Sequence, residues 1–103
     1  MLRPNTSPAQ NDGKDWLVSF PNPASDAVQL EYCLPRTVEQ VDLVVYNAQG
    51  AVVAQQSNLR NAPGISAHTL DVSSWQSGNY VVVLRGIQGR HVVCHQVEKL
   101  FVR

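Results

Sequence analysis

The sequence lacks a charge excess of either sign: eight basic residues stand against eight acidic ones, for a formal net charge of zero. A nucleic-acid interface needs a surplus of Lys and Arg to neutralise phosphates, so no nucleic-acid partner is expected. Long apolar runs are also missing. Val81–Leu84 is strand-sized, far short of the ~18 residues that span a bilayer. The opening Met1-Leu2-Arg3 leads into polar residues and Pro4, without the apolar stretch of a secretory leader. Either the chain works in the cytosol or its export address lay upstream in a longer precursor. Cysteine is scarce. Cys33 and Cys94 allow one disulfide at most, and spacing alone leaves a bridge and two separate half-buried thiols both open.

Signals for catalysis are also lacking. There is no Gly-x-Ser-x-Gly elbow and no glycine pattern that cradles phosphate. His91, Cys94 and His95 come nearest to a ligand cluster. On an unbroken strand His91 and His95 share one face and Cys94 takes the other, too few ligands for a closed zinc shell. His68 stands apart from them. Acids such as Asp26 and Glu31 read as edge or solvent-face charges. The chain is expected to be no enzyme and to hold no cofactor or metal.

What is present is ordinary globular material: 103 residues, 44% hydrophobic and 16% charged, enough for one modest core. Residues 1–15 are rich in Pro, Asn, Ser, Gly and Asp and read as a flexible linker. Residues 16–103 read as one folded domain of short apolar runs broken by turns. Trp16–Phe20 makes a first strand, stopped by Pro21-Asn22-Pro23. Asp26–Leu34 alternates, with Val28, Leu30, Tyr32 and Leu34 on one face. Gln40–Tyr46 alternates again. Asn47-Ala48-Gln49-Gly50 turns the chain into Ala51–Gln56, since Asn and Gly tolerate positive φ. Asn61-Ala62-Pro63-Gly64 is a second turn, and Ile65–Val72 follows as a strand. Ser73–Gly78 is a corner with room for one helical turn, capped by Asp71 or Ser73. Asn79–Arg85 is strongly apolar, Gly86-Ile87-Gln88-Gly89 turns, and Arg90–Arg103 closes the fold. About seven short strands at this spacing predict an all-β, Ig-like antiparallel sandwich. Tyr80, just after the corner, is placed either as a plain core residue or as a tyrosine corner bonding back to the backbone.

The order of several short motifs carries a resemblance. Pro21-Asn22-Pro23, Tyr46-Asn47-x-x-Gly50, Leu70-Asp71-Val72-Ser73, Ser77-Gly78-x-Tyr80 and a closing Lys99-Leu100-Phe101-Val102-Arg103 follow one another. This series resembles the C-terminal sorting domain of the Bacteroidetes type IX secretion system. The resemblance implies a signal domain that directs a larger cargo, joined upstream, through the outer-membrane translocon. It implies translocon and sortase proteins as partners, cleavage in or near residues 1–15, periplasmic transit, and a final place at the cell surface or outside the cell. It implies family positions at Pro21, Asn22, Pro23, Tyr46, Asn47, Gly50, Asp71, Gly78 and Tyr80. The two cysteines stand outside that pattern.

The tail carries the expected recognition residues. With Leu100 and Val102 facing the core, Lys99, Phe101 and Arg103 face out as a cationic-aromatic-cationic stripe, open to reading by charge and by edge pairing. Exposed sheet rims also leave room for a strand-exchanged homodimer. Two other functions compete. A carbohydrate-type ligand-binding module would need aromatic platforms, for which only Trp16 and Trp75 are candidates. A structural, adhesive Ig-like module would tolerate any place in its parent chain.

Overall fold

The computed structural model describes residues 15–62 and 64–103. Seven strands follow in order: β1 (Trp16–Phe20), β2 (Ala27–Cys33), β3 (Gln40–Asn47), β4 (Val52–Leu59), β5 (Ser66–Asp71), β6 (Gly78–Gln88) and β7 (His91–Val102). They form two antiparallel sheets, β1-β2-β5 and β4-β3-β6-β7. The fold is an Ig-like β-sandwich, as the alternation predicts. The expected linker lies outside the described residues except for Asp15, as does Pro63 of the second turn.

Alternation places the core. In β2, Val28, Leu30 and Tyr32 are buried, and Leu34 continues their face beyond the strand end. Val41, Leu43 and Val45 of β3 lie beside Leu84, Val82 and Tyr80 of the neighbouring β6 on the inner face of one sheet, and Leu100 and Val102 complete the layer from β7. Each such side chain is worth ~1.5–3 kcal/mol of burial. Tyr80 donates its hydroxyl to the Gln76 carbonyl at 2.6 Å and lies against Trp75, with ring centroids 4.9 Å apart. It is therefore a tyrosine corner. Trp75 packs partly buried against the core and offers no open platform.

Three local expectations change. The corner after β5 holds turns and no helix; Asp71 Oδ1 accepts from the backbone N–H of Ser73 at 3.0 Å and from its hydroxyl at 2.6 Å, so the acid closes an Asx turn. Ser73 also holds the Asp71 carboxyl below the usual range. Gly86 is no turn residue. It is buried inside β6, and a Cβ there would sit 2.5 Å from Cys94 Sγ and 2.7 Å from Val38 Cγ2. The glycine is a space-maker, and the chain reverses only at Gly89-Arg90.

The third change lies in β7. Gly86 pairs with Cys94 but Ile87 pairs with Val92, so Val93 is an extra, bulged residue. The bulge resets the alternation: His91 pairs with Gln88 and leaves the face that His95 shares with Arg85. His68, on β5 opposite Leu30, is remote from both in the strand order. Cys33 and Cys94 are both half-buried and free. Cys94 shares the inward face of Gly86, whereas Cys33 alternates with the inward Tyr32 and faces out of the other sheet. Burial first, and the Asp15 carboxylate second, push the Cys94 thiol up to about 11.

Candidate functional site

The strand registers bring the motifs to one end of the sandwich. Asn47 at the end of β3 pairs with Tyr80. Gly78 at the start of β6 pairs with Val102, and Asn79 with Phe101. Ala27 pairs with Asp71, and the Val72 N–H donates to the Asp26 carbonyl at 2.9 Å. Pro21–Pro23, Tyr46–Gly50, Asp71–Tyr80 and Lys99–Arg103 thus share one pole. Trp16, which pairs with Cys33, lies at the other. The segment leading into the domain therefore enters opposite the terminal residues.

Each motif has a local physical reason. Asn47 Oδ1 accepts from the backbone N–H groups of Gln49 at 3.0 Å and Ala51 at 2.9 Å. One side-chain oxygen thus organises the hairpin, and Gly50 closes it at φ 86°, a conformation that costs glycine little. Gly78 takes φ 151° at the start of β6, again outside the range of most side chains, which accounts for a glycine two residues before Tyr80.

The Pro-Asn-Pro motif has a more specific use. Neither proline has an N–H to give, so the Asn22 side chain supplies the polar groups instead. Its Nδ2 donates to the Lys99 carbonyl at 2.8 Å, and its Oδ1 accepts from the Phe101 N–H at 3.0 Å. The amide acts as a peptide group laid along the free edge of β7. Ala24 extends the same ladder: its N–H donates to the Phe101 carbonyl and its carbonyl accepts from the Arg103 N–H, both at 2.9 Å. Ala24 is fully buried and forms a parallel bridge with Val102. Residues 22–24 therefore strap the outer edge of the terminal strand. Just before the strap, Glu98 Oε2 accepts from Ser19 N–H at 3.0 Å and Ser19 hydroxyl at 2.8 Å, which closes β1 onto β7.

The side chains of the tail divide as the alternation predicts. Leu100 and Val102 are 1% and 0% exposed, while Phe101 is 41% exposed and Lys99 and Arg103 are exposed beside it. The main-chain edge of this segment is already taken by the strap; its outward side chains are free. The roles of Ser19, Glu98 and Ala24 had no sequence signal, because each depends on contacts about 79 residues apart.

The described residues hold no group of three or more His, Cys, Asp or Glu side chains able to ligate a metal. Among the described residues, one groove is lined by Leu34, Arg36 and Asn61 and another by Asn47, Gln76 and Tyr80.

No curated protein matches the chain. A family model described as the secretion system C-terminal sorting domain matches residues 18–98. That segment includes the Pro-Asn-Pro strap, the Asn47 hairpin, the Asp71 turn and the Gly78-Tyr80 corner, and it ends immediately before Lys99. With most of the sandwich and four of the five motifs inside the matched segment, the chain belongs to the family of C-terminal sorting domains of the type IX secretion system, signals that send an attached upstream cargo to that machinery and out to the cell surface or beyond.

Proposed function

We propose that the terminal segment Lys99–Arg103 is the part of this domain that the secretion machinery reads, and that the rest of the sandwich is a non-enzymatic scaffold that presents it. The observation that carries this reading is the division of the tail. Leu100 and Val102 anchor the segment in the core, the strap fixes its edge, and Lys99, Phe101 and Arg103 project from a held backbone. Pre-organised side chains lose little entropy when they bind. Cargo joined ahead of Asp15 would stand at the far pole, clear of the signal. On this reading the domain acts in the periplasm, and a sortase then severs it within residues 1–15. A strand-exchanged homodimer would have to use edges that the strap leaves uncovered, such as His91–Val97 of β7 or the outer edge of β4.

Deletion of Leu100–Arg103 from a fluorescent-protein fusion carrying this chain tests the reading in a type IX-competent host. Retention of the fusion in the periplasm is the expected result. Export at the level of the parent would show that the signal lies elsewhere in the sandwich.

A further inference from the structure

The outer face of the β4-β3-β6-β7 sheet is unusually apolar for one turned to solvent. An antiparallel sheet with a single buried face normally shows polar residues on the other. Here Val44, Val83 and Val97 lie side by side in one cross-strand row, and Tyr46, Val81 and Lys99 in the next. Val44 is only 4% exposed although it alternates with the core residues Leu43 and Val45 and lies outside the core cluster. Its burial outside the core cluster means that the side chains around it on this face pack against one another. Val97 is 61% exposed at its margin. The opposite outer face also shows apolar side chains, Val18 and Phe20 being 42% and 43% exposed, but there each stands in a row with a polar residue of β2, Glu31 and Gln29, and Thr69 follows Gln29 on β5.

Charge on this apolar face is one-sided. Arg85, Lys99 and Arg103 stand on it, and Asp42, the register partner of Arg85, is the acid among them; Asp42 also accepts from Gln40 Nε2 at 3.0 Å. The face runs without a break into the tail, since Lys99 pairs with Val81 and Phe101 with Asn79.

Resting on the reading of the tail as the signal, we infer that recognition extends beyond it: the whole outer face of this sheet docks flat against a folded protein surface with an apolar centre and an acidic rim. Strand addition is disfavoured at the tail because Asn22 and Ala24 occupy the edge it would use. Short valines flush with a pleated sheet, with Phe101 exposed only at the tail end of the face, suit a flat protein partner better than a bilayer, which takes several protruding Trp, Phe or Leu side chains. The cationic bias selects an acidic partner and rejects a second copy of the same face.

The test is export of a reporter fused to this chain in a type IX-competent host, comparing Val97→Asp and Arg85→Glu with the parent, and using Thr69→Asp on the opposite face as control. The inference expects each outer-face variant to lower export about tenfold, the size of a modest interface hot spot. The control should export normally, and the purified domains should melt as the parent does. Where Val97→Asp unfolds, Val97→Ser asks the same question by trimming an exposed side chain. Parental export by folded Val97→Asp and Arg85→Glu, while deletion of Leu100–Arg103 still blocks export, would overturn the inference and leave the tail reading standing. Export that survives the deletion would overturn both. A rise in export with Asn22→Ala, which frees the edge, would make strand addition the mode. Concentration-dependent dimers, or binding to anionic phospholipid vesicles, that Val97→Asp abolishes would give the face to a second copy or to lipid, and would equally overturn it.

Discussion

The two halves of β7 are one continuous strand with opposite fates. From Glu98 onward the strand is held on both edges and on its inner face: by β6 through the ladder, by Ser19 at Glu98, by the strap at Lys99–Arg103, and by the core at Leu100 and Val102. From His91 to Val97 it has β6 as its ladder partner, carries the Val93 bulge, and exposes Val92, Val93 and Val97. The difference teaches that a β-strand is fixed less by its own propensity than by what covers its edge and inner face. Valine is abundant in the loose half, yet the tight half is the one we propose as the signal.

Exchanging the same truncation between the halves breaks the comparison most sharply. Leu100→Ala removes a side chain that is 1% exposed and should cost ~2–5 kcal/mol. Val97→Ala, at a surface position, should change stability by less than ~0.5 kcal/mol. Chemical denaturation of the two variants reads both; equal losses would mean that the halves are equally built in.

The inner face of the loose half is next. Gly86→Val would drive a branched side chain into Cys94 and Val38 and should cost ~1–3 kcal/mol by overpacking. The Gly86→Val, Cys94→Ala pair should recover part of it, because the nearest clash is with Sγ. No recovery in a thermal melt would place the strain elsewhere.

The strap comes third. Asn22→Ala removes two hydrogen bonds to the tail, each worth ~0.5–1.5 kcal/mol. Amide exchange at Phe101, which donates to Asn22, should accelerate while Val83 in the sheet centre keeps its protection. Unchanged exchange at Phe101 would mean that the strap does not hold the edge.

The smallest effect concerns the thiols. The raised Cys94 pKa keeps it protonated at neutral pH, so maleimide should label Cys33 before Cys94. Because the folded value lies above that of the unfolded chain, Cys94 contributes stability that is present below pH ~9 and lost as pH rises towards ~11. Cys94→Ala should flatten that alkaline decline. Equal labelling rates would show Cys94 to be as open as the N-terminal half of its strand.

Much of this was legible in the sequence. Alternation at Val28, Leu30, Tyr32, Leu43, Val45, Leu100 and Val102 is a local property, and it gave the core and both faces of the tail. Asn47-x-x-Gly50 is readable as a turn because its hydrogen bonds are local, whereas Asp71 and Ser73 read as caps of a helical turn and instead bond to each other in an Asx turn. Gly86 was misread because a glycine that makes room and a glycine that turns look alike until the neighbours are known. The Val93 bulge was invisible for a similar reason, since it exists only relative to β6. Asn22 was readable as a motif residue, but its clamp on Lys99 and Phe101 joins positions 77 and 79 residues away and needed the fold.

The most direct test keeps the strand and changes only what it shows. Lys99→Ser, Phe101→Ser and Arg103→Ser together leave Leu100, Val102 and the main-chain ladder intact. Reporter export should fall to the level of the tail deletion, while the purified domain keeps its β-sheet spectrum and its slow Arg103 amide. Export equal to the parent would mean that these three side chains are not read.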